Sequence, residues 1–167
     1  MLKALSQIKR LLAIAGIGTL LSCSPHHDVP ENKLPQSVEQ VLAKPERVTL
    51  YSLEPNAPRD VEPQFYGYKL LGQTDLDPVR ATQAISAFRA AVSGWHNGVG
   101  ICFNPRHALR VMAGGKTFVL LLCYQCRQIQ VFGKEGIAAT LGAEGSPNAL
   151  NDLLIAADIP VSTPPGS

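Results

Sequence analysis

The feature that most constrains the fold is the Gly114-Gly115 pair, which divides a long apolar and β-rich stretch, residues 99–132. Glycine reaches positive φ without a Cβ clash, so two glycines between strand-like runs predict a two-residue hairpin turn. The register set by this turn places Cys102 opposite Arg127, with a break in the pairing around Pro105. The chain is therefore expected to fold around one long antiparallel hairpin.

The segments on either side of this hairpin predict an α+β fold. Alternating or β-branched residues over 47–53 and 64–73 indicate strands, and we expect either a bulge or a close backbone approach at Gly67, inside the second strand. Asp77-Pro78 is typical of a helix start, Asn97-Gly98 of its end, and residues 149–157 of a second helix. We expect a single α+β domain: a mainly antiparallel sheet with a central long hairpin, one main helix packed on the sheet and a shorter C-terminal helix.

The N-terminal residues resemble a bacterial lipoprotein signal. A basic opening precedes an apolar run of about eleven residues, which suits a signal peptide and is too short to span a bilayer comfortably. Leu20-Leu21-Ser22-Cys23 follows this run. The resemblance implies removal of residues 1–22 and acylation of Cys23, for example with palmitate, and Ser24 in the next position implies the outer membrane. We therefore expect a protein of the bacterial cell envelope that faces the periplasm and contacts the membrane through the lipid on Cys23.

The expected mature chain begins with a lipidated flexible tether, residues 23–36, followed by one domain over 37–161 and a disordered tail over 162–167. Two adjacent histidines, His26-His27, lie on the tether, where a rigid metal site is not expected. The signal peptide removes three of the 15 Lys and Arg residues and none of the 13 Asp and Glu residues. The mature charge is therefore close to neutral and gives no indication of a nucleic-acid partner.

Three cysteines remain after lipidation: Cys102, Cys123 and Cys126. Exported proteins can form disulfides, and an odd number leaves at least one thiol unpaired. The hairpin register favours a Cys102–Cys126 bond with Cys123 buried and free. Two alternatives are a Cys123–Cys126 bond, which resembles a redox Cys-x-x-Cys motif but lies among strand residues, and three reduced thiols.

A metal site is a further hypothesis for these cysteines. Zinc accepts three cysteines and one histidine tetrahedrally, which makes a candidate set of Cys102, His107, Cys123 and Cys126. The Cys-x-x-Cys spacing is typical of one half of such a site, whereas the other half, interrupted by Pro105, is irregular. Zinc is the only cofactor that the sequence suggests.

Basic residues near the cysteines suggest an anion site. Arg106, Arg110 and Arg127 are predicted to gather on one sheet face or edge, where they would bind an anion or a partner's carboxylate. The interpretation that we favour over this site is that Arg106 pairs with a structural acid, such as Asp75 or Asp77, and locks the loop. No nucleophile or acid partner for His107 can be identified, so no catalytic residue is predicted.

The segments C-F-N-P-R-H-A-L-R and G-K-T-F-V-L-L-L-C-Y-Q-C resemble a family of uncharacterised bacterial exported proteins and lipoproteins. The resemblance covers roughly residues 48–160 and implies only that the cysteines and Pro-Arg-His belong to one pattern. We expect a non-enzymatic binding or structural module with an unknown protein partner. The alternative is a small metal- or thiol-dependent enzyme or sensor that uses Cys102, His107, Cys123 and Cys126.

Overall fold

Antiparallel strands and helices make up the chain as expected for an α+β fold. The computed structural model describes residues 31–96 and 98–162. The strands form a seven-stranded sheet in the order β2-β3-β1-β4-β5-β6-β7, with each neighbouring pair antiparallel. Its elements, in chain order, are α1 (Gln36–Ala43), β1 (Arg47–Glu54), β2 (Gln64–Phe65), β3 (Tyr68–Asp75), α2 (Pro78–Ser93), β4 (His107–Ala113), β5 (Lys116–Cys123), β6 (Gln128–Gly133), β7 (Gly136–Gly142) and α3 (Asn148–Ile155).

The β4–β5 hairpin lies at the centre of the sheet, and its turn and register are confirmed. Ala113 pairs with Lys116, and the ladder continues in the same register to His107 and Leu122. Gly114-Gly115 has φ values of 57° and 71°, which explains why glycine occupies both turn positions. The ladder ends at His107, so Cys102 and Arg127 are not a paired position of the sheet.

The predicted strand over 64–73 is wrong at Gly67, where a tight hairpin turn replaces the expected bulge or close backbone approach. Residues 64–65 and 68–75 are separate strands that pair with each other. Tyr66 and Gly67 form the turn between them, with φ values of 52° and 78°. A non-glycine residue rarely adopts positive φ, so only Gly67 of these two residues is a turn signal in the sequence.

The sheet is strongly curled. In the strand order, β2 and β6 are five steps apart, which in a flat sheet would separate them by about 24 Å. The rings of Tyr66, beside β2, and Phe132, in β6, instead have centroids 4.6 Å apart. The β2–β3 hairpin therefore folds over one face of the sheet.

Each face of the curled sheet contributes to a buried apolar cluster. Alternating strand residues such as Leu50, Leu109 and Leu120 pack with the three helices in the larger cluster. Their neighbours Tyr51 and Leu121 point to the opposite face and form a smaller cluster, which aromatic side chains around β2 and β3 cover. Both layers are needed to bury the central hairpin.

The main helix α2 begins as predicted and ends earlier than predicted. The Asp77 carboxylate accepts hydrogen bonds from the backbone N–H groups of Val79 and Arg80, each 2.9 Å long. The helix ends at Ser93, whereas Asn97-Gly98 was expected to end it, and Asn97 itself lies outside the described residues. The shorter C-terminal helix is confirmed as α3.

Packed structure extends into part of the expected tether and tail. The Asn32 side-chain amide donates to the Val92 carbonyl, 2.9 Å away, and its oxygen accepts from the Gly142 N–H, 2.7 Å away. At the other end of the chain, the Ser162 hydroxyl donates to Glu54 over 2.9 Å. The expected tether is therefore too long at its C-terminal end; residues 1–30 and 163–167, including Cys23 and His26-His27, lie outside the described residues.

Within 31–96 and 98–162, no helix has both the length and the apolar character needed to cross a bilayer.

Candidate functional site

A pocket of about 310 Å³ lies at the end of the β4–β5 hairpin opposite the glycine turn. Apolar and polar groups share its wall, which consists of Asn104, Arg106, His107, Leu122, Tyr124, Gln125 and Pro147. The residues come from the loop before β4, the adjoining ends of β4 and β5, the turn after β5 and the segment that leads into α3. Two residues singled out from the sequence, Arg106 and His107, therefore line one cavity.

His107 is the buried titratable residue of this pocket, with 3 % of its surface exposed. Its Nε2 lies 2.8 Å from the Asn151 Oδ1, an acceptor, so Nε2 carries the ring proton. Burial, assisted by the charge of Arg106 and opposed by the Asn151 hydrogen bond, lowers the pKa of His107 to about 4. The imidazole is therefore neutral at pH 7, and its buried Nδ1 has no hydrogen-bond partner in the described chain.

Arg106 lies next to His107 and pairs with no carboxylate of the described residues. Its Nη1 donates to the Gln125 side-chain oxygen over 3.3 Å. Its Nε and Nη2 are buried and reach no acceptor among those residues. Leaving buried donors without partners is unfavourable, by about 1–3 kcal/mol for each group. Arg106 therefore contributes little to the stability of the fold in this arrangement.

The alternative pairing of Arg106 with Asp75 or Asp77 is wrong. Asp75 accepts a 2.6 Å hydrogen bond from the Thr49 hydroxyl. Asp77 caps α2 and forms an ion pair with Arg80, with 3.6 Å between nitrogen and oxygen. Asp75 lies at the end of β3 and Asp77 directly before α2, and neither element lines the pocket.

The prediction that three arginines gather on one surface is also wrong. Strand alternation turns Arg110 to the face of the sheet opposite His107, where its guanidinium lies 5.0 Å from the Tyr51 ring centroid. Arg127, in the turn after β5, forms a 2.9 Å ion pair with Glu144. Arg106 is the member of the set that remains in the pocket.

The predicted proximity of Cys102 and Cys126 is confirmed, but the predicted disulfide between them is wrong. The disulfide joins Cys123 to Cys126, whose Cα atoms are 5.2 Å apart, and Cys102 is a free, exposed cysteine. The Cys102 sulfur nevertheless lies 2.8 Å from that of Cys126. The reason is the turn over residues 124–127, which starts directly after Cys123 and brings Cys126 back towards the end of β5.

The four residues of the zinc hypothesis do not form a ligand set in the described parts of the chain, where no three His, Cys, Asp or Glu side chains converge on a metal position. His107 Nε2 is engaged by Asn151, and two of the three sulfurs are bonded to each other. The zinc hypothesis therefore gains no support from the geometry.

Sequence reasoning missed several contributors to the site, among them Asn151, Tyr124 and Pro147. Asn151 lies 44 positions from His107, and its only signal is a polar side chain next to the inward-facing Leu150 of α3. Burial raises the pKa of Tyr124 to about 12, and its ring centroid is 6.4 Å from that of His107 in an edge-on arrangement. These contacts arise only when α3 packs beside the open end of the hairpin.

No family model, curated protein or solved structure matches this chain.

Proposed function

We propose that this protein is a lipid-anchored, non-enzymatic binding module of the bacterial cell envelope whose pocket receives a carboxylate carried on a small apolar group. The observation that carries the proposal is Arg106, a cation in the wall of a pocket that pairs with no acid in the described chain. A guanidinium binds carboxylates more strongly than neutral acceptors because both partners are charged and two parallel hydrogen bonds can form.

The pocket wall suits a ligand with an apolar body. Leu122, Pro147 and the Tyr124 ring supply apolar surface, and a volume of about 310 Å³ is at the lower limit of ordinary ligand pockets. Such a space accepts one amino-acid-sized group. Gln125 is exposed and holds Arg106 only through a neutral amide oxygen 3.3 Å away. An arriving carboxylate can therefore replace it at the guanidinium.

His107 supports binding rather than acid–base chemistry. Its pKa of about 4 keeps it neutral at pH 7, and Asn151 fixes its ring. The Nδ1 atom is then a hydrogen-bond acceptor, which favours a ligand with an N–H or O–H group near its carboxylate. An N-acylated amino acid and the C-terminus of a protein both have this chemistry.

Calorimetric titration with N-acetyl-leucine tests the proposal. We expect binding to the wild-type protein, at least tenfold weaker binding to Arg106→Gln, and no binding of N-acetyl-leucine amide, which lacks the carboxylate. Lys134→Gln removes one exposed positive charge elsewhere and serves as the matched control. Equal binding of the acid and the amide, or unchanged binding by Arg106→Gln, would refute the proposed site.

The source of the carboxylate is tested with a decapeptide that ends in leucine. If the ligand is the C-terminus of a partner protein, the peptide should bind more tightly than N-acetyl-leucine, because contacts outside the pocket add to the same anchor. If it is a free acid, the two should bind equally.

The anchor is supported by the N-terminal segment Leu20-Leu21-Ser22-Cys23, which resembles a lipoprotein signal. Several acyl chains hold a protein firmly at a membrane, since each buried methylene contributes about 0.8 kcal/mol. Cys23→Ser should abolish palmitate incorporation. The variant protein should then be lost from the outer-membrane fraction. Equal labelling of the variant and the wild type would contradict lipidation at Cys23.

A further inference from the structure

The sulfur atoms of Cys102, Cys123 and Cys126 lie together at the turn between β5 and β6. The Cys102 sulfur lies 2.8 Å from the Cys126 sulfur, which is bonded to Cys123. The loop that carries Cys102 is held there by the Gly100 N–H, which donates to the Cys126 carbonyl over 2.7 Å. A Cβ on residue 100 would lie 3.1 Å from that carbonyl oxygen, so glycine permits the close approach.

The three cysteines differ sharply in exposure. Cys123 and Cys126 are each 1 % exposed, whereas Cys102 is exposed to solvent. Its chain neighbour Ile101 is fully exposed, so the approach to Cys102 is open and apolar. A thiol from another molecule can therefore reach Cys102 but not the sulfurs of the buried disulfide.

We propose that these cysteines form a thiol–disulfide exchange relay, in which Cys102 connects the buried Cys123–Cys126 disulfide to dithiols of partner proteins. The geometry fits the first step, since exchange requires a thiolate to contact the disulfide sulfur that it attacks. The relay depends on the sulfur contacts alone and adds an activity to the binding module, without requiring a ligand in the pocket.

In the first step, Cys102 loses its proton and its sulfur attacks that of Cys126. The Cys123–Cys126 bond breaks, a Cys102–Cys126 bond forms, and Cys123 leaves as a thiolate that takes up a proton. The Cys126 N–H already lies 3.0 Å from the Cys123 sulfur and stabilises the negative charge that develops there. This step is an isomerisation, so it needs no oxidant or reductant.

In the second step, a thiolate of the partner dithiol attacks the exposed Cys102 sulfur. A mixed disulfide forms and Cys126 leaves as a thiolate. The partner's second thiol then attacks the partner sulfur of the mixed disulfide and releases Cys102. Two electrons have passed from the dithiol, which becomes a disulfide, to the protein, which now has three thiols.

Reduction kinetics of the purified full chain test the relay, with dithiothreitol as the dithiol. We expect Cys102→Ser to keep the buried disulfide and to be reduced at least about tenfold more slowly than the wild type. Cys123→Ser should instead hold the Cys102–Cys126 bond and be reduced at least as fast as the wild type. Reduction of Cys102→Ser at the wild-type rate would overturn the proposal.

Tryptic mapping under non-reducing conditions provides an independent measurement. Cleavage after Arg89, Arg106, Lys116 and Arg127 separates peptide 90–106, with Cys102, from peptide 117–127, with both other cysteines. The relay predicts that a fraction of wild-type molecules, trapped by rapid alkylation, has these two peptides joined. Their complete absence before and during reduction would contradict the isomerisation.

Gly100→Ala keeps all three sulfurs and tests the relay without removing a cysteine. The added methyl group should push the Cys102 loop away from Cys126 and slow reduction relative to the wild type. Circular dichroism verifies that each variant is folded. A wild-type rate in Gly100→Ala, with the folded structure retained, would show that the sulfur contact is unimportant.

Discussion

The two ends of the β4–β5 hairpin differ in how completely their polar groups are paired. At the turn end, Ala113 pairs with Lys116, and the Gly114 N–H donates to Glu46 over 2.9 Å. At the open end, Arg106 has two buried N–H groups without acceptors in the described chain, and the Nδ1 of His107 is likewise unpartnered. The turn end therefore satisfies its own polar groups, whereas the open end leaves donors and an acceptor that the proposed carboxylate ligand would satisfy.

The largest expected effect is a loss of stability from leucine substitutions in β5, where one buried leucine lines the pocket and another does not. Leu120 and Leu122 are both 0 % exposed on the same face of the strand, but only Leu122 lines the pocket. Leu→Ala at either position should lower the free energy of unfolding by about 2–5 kcal/mol in chemical denaturation. Only Leu122→Ala should also change the affinity for N-acetyl-leucine. An equal change of affinity in both variants would remove the distinction between the two positions.

The next effect is a loss of stability in acid that originates at the open end. His107 has a pKa of about 4, below its ordinary value of 6.5, so the unfolded chain binds more protons than the folded one between these pH values. The free energy of unfolding should therefore fall by up to about 3 kcal/mol as the pH is lowered from 6.5 to 4.

Denaturation at a series of pH values tests this prediction with two variants. His107→Gln should lose most of that pH dependence, whereas His96→Gln, at an exposed position, should keep it. A pH dependence that is unchanged in His107→Gln would show that the buried imidazole is not its origin.

A smaller effect is expected at the turn end. Gly115 has a φ of 71°, so Gly115→Ala should lower the free energy of unfolding by about 1–2 kcal/mol through backbone strain. Because the turn lies at the far end of the hairpin, the affinity for N-acetyl-leucine and the rate of disulfide reduction should match the wild type. A variant that is as stable as the wild type would contradict the strain argument.

Much of the fold followed from local signals that act through the backbone. Two adjacent glycines fixed the central register, and Asp77-Pro78 fixed the start of α2, since both depend on a few neighbouring residues. The Tyr66-Gly67 turn was missed because tyrosine seldom adopts positive φ. Local patterns could not show this strained conformation.

The candidate site was less predictable because its contacts are distant in the sequence. The Cys102–Cys126 contact followed from the hairpin register, but the bond to Cys123 depends on the turn conformation over residues 124–127. The partners of Arg106 and His107 depend on how the loop before β4 and α3 pack together. No periodicity or motif encodes that packing.

The central claim is that Arg106 binds a ligand and does not stabilise the fold. The smallest expected change in stability tests this claim most directly. Arg106→Met removes two buried donors without partners, so the free energy of unfolding should stay equal or rise by about 1 kcal/mol. Arg127→Met, which breaks the ion pair with Glu144, should instead lower it by up to about 1 kcal/mol. Denaturant unfolding of both variants measures this difference. If Arg106→Met lowered the free energy of unfolding by about 2 kcal/mol or more, the account would be contradicted. A loss of that size is expected when a structural hydrogen-bonding group is removed.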